Sequence, residues 1–223
     1  MSIAAALSVP SHADDAYRLL DLGGHAVKWG KPQLGTGAVI TYRLANDETS
    51  GGTVNCRSIT SITPLLSRAR LSQPAFDRAL EGAMHAWSAT ANVRFVRITN
   101  DSADLTIGAE QTPDGIAYTD VTPSSQTSAS IATPQRAVVC LNPRVKWTLE
   151  RKRGNAKVLG YVLEHEIGHA LGLDHPGPSG ELMSFEYSDK VQSLQPGDIA
   201  GIVVLYGKPA HAGAIALNAS PPR

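Results

Sequence analysis

The sequence predicts an α+β fold built as one domain, and three observations predict it. Strand-like and helical patterns interleave over the first 145 residues, two further helical segments close the chain, and 223 residues with 42% hydrophobic content are enough for one substantial core. Twenty glycines and fourteen prolines describe an ordinary globular chain with many turns.

Taken in order, residues 1 to about 30 are a poorly patterned lead-in. Within it the apolar run Ile3 to Val9, followed by Ser11-His12-Ala13, reads either as the remnant of an export signal with its small-residue cleavage site or as an apolar tail, since no Lys or Arg precedes it. Gly35-Thr36-Gly37 opens a strand from Ala38 to Leu44, and residues 45 to 55 form a polar, Gly-rich connection. A helix is expected from about Pro74 to Ser88. Ser72 is its candidate N-cap, Pro74 suits the first turn, and Phe76, Leu80, Met84 and Trp87 recur at helical spacing.

Strands follow at Asn92 to Ile98 and Ala103 to Ile107, divided by the turn-forming Thr99-Asn100-Asp101-Ser102. Gly115 to Val121 and Ala137 to Leu141 are further strands around a Ser/Thr/Pro-rich loop. A second helix is expected from about Ala156 to Leu171, ended by Gly172, and a last one from about Pro196 to Tyr206, ended by Gly207. The tail after Lys208 is small and polar.

Basic and acidic residues balance at 20 each with no run of like charge, which gives a nucleic-acid or anionic-membrane partner no electrostatic support. No apolar stretch reaches the 18 or so residues that membrane insertion requires. Cys56 and Cys140 show no metal-ligand spacing. In an exported protein they would form one disulfide closing a long loop, the alternative being two buried free thiols.

The chemistry concentrates in His165-Glu166-Ile167-Gly168-His169-Ala170-Leu171-Gly172-Leu173-Asp174-His175, which reads HExxHxxGxxH. Residues four apart share a helix face with Cβ atoms roughly 5 to 6 Å apart, so His165 and His169 can reach one ion. Gly172 can take the left-handed conformation that ends the helix and lets His175 return to the same metal. Three neutral imidazoles leave a tetrahedral zinc one open position, the catalytic arrangement. Glu166 lies beside the first ligand but off its face, placed to take a proton from a water on the zinc and deliver it to a leaving amine. The competing reading is a capped amphipathic helix whose histidines are satisfied by hydrogen bonds. Fixing the additional Gly and His makes the pattern roughly a thousandfold rarer by chance than HExxH alone. His12, His25, His85 and His211 lack paired spacing and are assigned no role.

The extended motif resembles the metzincin zinc metallopeptidases, and Met183, eight residues after His175, sharpens the match to the matrixin-like members, where it corresponds to the Met-turn under the metal. The position two residues later, a tyrosine ligand in some relatives, is Phe185, so a three-histidine site is implied. Trp29-Gly30, Ile40-Thr41-Tyr42, Ala86-Trp87, Val93-Arg94-Phe95 and Asp198 to Ile202 with Leu205-Tyr206-Gly207 are similar to bacterial matrixin and serralysin-related catalytic domains. The resemblance implies a catalytic domain over residues 26–208, preceded by a lead-in (1–25) and followed by a loose tail (209–223). It also implies the zincin fold: a twisted mixed sheet with helices in a larger N-terminal lobe, and a small C-terminal lobe across the cleft.

By the same comparison Tyr187 walls the S1′ pocket with Phe185 beside it, and Tyr161 sets a shallow pocket suited to medium apolar side chains, unless it is a core residue of the helix. Ala117, within Gly115 to Tyr118, lies on a strand that either receives an extended peptide by main-chain hydrogen bonds or is an ordinary edge. The implied protein is a monomeric, secreted or periplasmic endopeptidase with one zinc ion, acting on protein or peptide substrates. A zinc-stabilised binding module, or a hydrolase dedicated to one partner, is the alternative. Calcium is left open: Asp101, Asp104, Asp114 and Asp120 offer ligands but suit turn and N-cap roles. No cysteine-switch motif is present.

Overall fold

A computed structural model describes residues 16–46, 53–124, 130–151, 154–177, 180–188 and 190–209. The apolar run and small-residue site near the start, His12, His211 and nearly all of the tail lie outside them. Along the chain the strands are β1 (Arg18–Leu19), β2 (Ala26–Val27), β3 (Ala38–Leu44), β4 (Ile59–Thr60), β5 (Val93–Arg97), β6 (Leu105–Glu110), β7 (Ala117–Pro123), β8 (Ile131–Ala132), β9 (Pro134–Leu141), β10 (Trp147–Thr148), β11 (Lys157–Val158) and β12 (Leu173–Asp174). The helices are α1 (Thr63–Ala69), α2 (Gln73–Thr90), α3 (Leu159–Ala170) and α4 (Pro196–Tyr206).

The principal sheet runs β5-β3-β6-β9-β7, parallel along this order except for β7, which pairs antiparallel with β9 and ends it; β4 adds antiparallel to β6. Its mixed character and the helices packed on it are those of the expected α+β metzincin architecture. Helix α2 buries Phe76, Leu80, Met84 and Trp87, the residues whose spacing predicts it. It packs on α3, where the Trp87 indole N–H donates to the Glu164 carbonyl at 2.9 Å. Ser72 takes the extended N-cap conformation but its hydroxyl makes no capping bond.

Three regions differ from the sequence expectation. The first turn of the predicted Ala156 helix is strand: β11 pairs parallel with β10, and α3 begins only at Leu159. The lead-in is tied down at its end, because β1 pairs with β12 (Arg18 with Asp174, Leu19 with Leu173) and β2 pairs with β8. Helix α1 has no counterpart in the expectation; Pro64 opens it and Arg70 closes it with a left-handed φ of 55°.

On the sheet face away from the principal core, Ala45, Cys56, Ile59, Val138 and Cys140 form a second small cluster with Tyr118 against it. Cys56 and Cys140 are disulfide-bonded there, 84 residues apart in sequence. Among the described residues no helix is long and apolar enough to cross a membrane.

Candidate active site

Helix α3 is apolar on nearly every side and is held between α2 and the β7–β9 edge of the sheet. Its C-terminal turn leaves carbonyls with no intrahelical partner, and distant segments fill them. The Trp29 indole N–H donates to Ala170 at 2.7 Å, the Tyr206 hydroxyl to Leu171 at 2.7 Å and the Leu20 amide to Gly172 at 2.8 Å. Gly172 follows with φ of +103°, where a Cβ would lie 2.0 Å from the Val27 carbonyl, so the close approach as well as the turn requires glycine. The chain then reverses through β12 and carries His175 back over the helix.

The Nε2 atoms of His165, His169 and His175 converge, at 3.1, 3.0 and 3.3 Å from one another. The His165 Nδ1 faces the Leu182 carbonyl at 2.7 Å, and the His169 Nδ1 faces the Leu173 carbonyl at 2.8 Å. A carbonyl can only accept, so these Nδ1 atoms carry the protons and the Nε2 atoms carry lone pairs. Burial lowers the pKa of all three rings, His169 furthest because the other two imidazoles add to the effect, which keeps them neutral. The lone pairs of His165 and His169 therefore face each other with no proton between them, an arrangement that a cation relieves. Nitrogens in a tetrahedral zinc shell sit about 3.3 to 3.4 Å apart. The observed triangle is close to that, and it is the one group of three or more possible metal ligands among the described residues.

Glu166 lies on the inner side of α3, buried to 6% exposure, and lines the same cavity as the histidines. Burial pushes its carboxyl up to about 7, against a hydrogen bond from Thr119 that favours the ionised form. The Thr119 hydroxyl, on β7, lies 2.6 Å from Glu166 Oε2 and 2.9 Å from the Glu166 carbonyl. Nothing in the local motif pointed to Thr119, since 47 residues separate the two.

Beneath the triad, Met183 is buried, and a Cβ on Gly168 would lie 2.4 Å from its sulfur and 2.8 Å from the Trp87 ring. The turn carrying Met183 is fixed by Asp198 of α4, whose carboxylate accepts the Leu182 amide at 2.8 Å and the Met183 amide at 3.0 Å. Leu182 is the residue whose carbonyl orients His165, so Asp198 acts on the triad through one peptide unit.

The cavity, about 490 Å³, is lined by Ala117, Tyr161, Phe185 and Tyr187 as well as the histidines, with Asn55, Leu20 and Val191 added from elements whose place at the site the sequence did not indicate. The Tyr187 hydroxyl accepts the Val158 amide at 3.0 Å, and the Lys157 ammonium sits 4.1 Å from the centre of its ring. Phe185 is 78% exposed and packs its ring edge-on to His175 at 5.2 Å. Asn55 is held at the rim by Asp120, which accepts from Thr53, from the Asn55 amide and side chain, and from the Cys56 amide. Burial alone would raise the Asp120 carboxyl, but these bonds outweigh it and hold it below the usual range. The other carboxylates considered for calcium are likewise engaged: Asp101 pairs with Arg43, Asp104 accepts from Thr41, and Asp114 accepts the Gly115 amide.

Residues 58–207 match the matrixin family model. Matrix metalloproteinase-20 from Homo sapiens is 32% identical over 185 residues, covering 79% of this chain and 36% of that protein. Interstitial collagenase B from Mus musculus is 29% identical over 183 residues (79% and 38%), and neutrophil collagenase from Homo sapiens 29% over 196 residues (84% and 36%). The chain spans somewhat over a third of the length of these relatives. With the fold described and the histidine triad placed on α3 and just after β12, the family match over two thirds of the sequence leads to one conclusion: the chain belongs to the matrixin family of zinc metallopeptidases.

Proposed function

We propose that this protein is a secreted endopeptidase in which His165, His169 and His175 hold one zinc ion and Glu166 is the general base. The observation that carries the reading is the meeting of neutral imidazole lone pairs beside a buried carboxyl in a cavity open to substrate. Zinc on three imidazoles supplies Lewis acidity, polarising a carbonyl and lowering the pKa of water toward about 7.

The chain's own residues do the rest. Glu166, whose burial raises its affinity for a proton, accepts one from the attacking water and returns it to the departing amide nitrogen. Substrate orientation falls to β7, the last strand in the sheet. The Ile116 carbonyl is taken by the Asn142 amide, and antiparallel ladders bond alternate residues, so the main-chain groups of Ala117 and Thr119 face outward, ready for an extended peptide. The side chain after the scissile bond enters the pocket bounded by Tyr161, Tyr187 and Val191, whose bulk favours medium apolar residues such as leucine. The disulfide suits an oxidising compartment outside the cytoplasm.

The test is zinc-loaded protein against Glu166→Ala on a quenched mixed-peptide library, with metal content measured in both. Cleavage by the parent and its loss in the variant with zinc retained is the expected result. A zinc-loaded parent that binds peptides and cuts none overturns it in favour of a binding module.

A further inference from the structure

The carboxyl of Glu166 ends a side chain with three rotatable bonds, and a general base that is 1 Å out of place can cost a hundredfold in rate. Helix α3 fixes the backbone of Glu166 but not the direction of its carboxyl. Among the described residues, the hydrogen-bond partner of that carboxyl is Thr119, at 2.6 Å from Oε2. The same hydroxyl oxygen is 2.9 Å from the Glu166 carbonyl, so Thr119, on the strand packed against α3, stands beside both ends of the residue, and its one proton is available to Oε2. Its Cβ is β-branched on a strand, which stiffens χ1 and gives the hydroxyl a fixed position. Thr119 is also among the residues whose main-chain groups face the free edge of β7.

Resting on the function proposed above, we infer that Thr119 is the positioning residue of the general base: it tethers Oε2 of Glu166 to the edge strand so that the other carboxylate oxygen faces the cavity. Thr119 touches no reacting atom. Its effect is exerted through Glu166, and because the same residue offers its backbone to the free edge, the base is set in register with the strand along which a peptide would lie. The requirement is for a hydroxyl on this Cβ, not for the shape of the side chain. Serine keeps the tether and valine removes it at nearly constant shape.

Thr119→Val and Thr119→Ser are to be compared with the parent as zinc-loaded proteins, measuring kcat and KM separately on a peptide the parent cleaves, zinc content, and the Glu166 conformer in crystal structures. Expected for Thr119→Val is a fall in kcat of about 10- to 100-fold, KM within about twofold, zinc retained, and Glu166 rotated or spread over several conformers. Thr119→Ser keeps kcat within about threefold and the Glu166 conformer of the parent. An unchanged kcat in Thr119→Val, an equal loss in Thr119→Ser, or a loss that comes with departed zinc overturns the inference. Should the parent cut no peptide, the endopeptidase reading fails by itself, and the crystal structures still decide the tether: a Glu166 conformer unmoved in Thr119→Val overturns it.

Discussion

Replacing both cysteines by alanine, Cys56→Ala with Cys140→Ala, isolates the contribution of the one covalent cross-link. The bridge joins positions 84 residues apart. In the chain-entropy treatment, closing a loop of that length in the unfolded chain stabilises the native state by about 4.5 kcal/mol, with typical measured values of about 2 to 4. Both residues are buried in the small cluster on the outer sheet face, so alanine avoids burying a hydroxyl there and adds only a modest packing loss. The turn that carries Asn55 to the cavity rim keeps its four bonds to Asp120 in the folded state. The expected outcome is therefore a loss of about 2 to 4.5 kcal/mol in urea denaturation, an increase in the m value as the unfolded chain expands, and an unchanged kcat/KM at 25 °C. A loss under about 1 kcal/mol with the m value unaltered would refute the reasoning, and a collapse of kcat/KM would show that the bridge acts on the native cleft.

Three more expectations follow from the packing. Tyr206→Phe deletes a hydroxyl that accepts the Trp29 amide and donates to the Leu171 carbonyl, leaving two buried groups unpaired at about 1 to 3 kcal/mol each; the urea midpoint and zinc affinity should both fall. Gly168→Ala forces a methyl against the Met183 sulfur and the Trp87 ring, for roughly 1 to 3 kcal/mol of overpacking, visible as a lower melting temperature and reduced metal occupancy. Lys28 is fully buried, and burial lowers its ammonium from 10.5 to about 8, although it donates to the Trp29 and Lys31 carbonyls and to Thr36. Between those pH values the unfolded chain binds the extra proton, so stability should rise with pH from about 8 to 10.5 by up to about 3 kcal/mol. Lys28→Met should flatten that slope in urea midpoints measured across the window.

The readable parts of this molecule are those whose determinants lie close together in sequence. The Pro196 to Tyr206 helix is punctuated by its own proline and glycine and appears with those bounds, and α2 declares itself through four apolar residues at helical spacing. The histidine motif is legible because its eleven residues include the helix, the glycine turn and the return. Two-residue strands such as β1 and β11 are not, since a pair of residues has no period and their pairing depends on partners far along the chain. Thr119 and Asp198 are hidden for the same reason: each reaches the site only once β7 or α4 has docked. The motif names the three histidines and Glu166, and tertiary structure supplies the residues that hold them in place.

The three donors that complete the end of α3, from Leu20, Trp29 and Tyr206, come from nearly opposite ends of the described chain. During synthesis the histidine motif leaves the ribosome before Tyr206 does, so the helix end that directs His175 is unfinished while the motif is already exposed. The helix end from which His175 returns is thus closed only once a residue well beyond the motif has docked. The geometry of the site is therefore a product of long-range docking, and displacing α4 would unmake it without touching the motif.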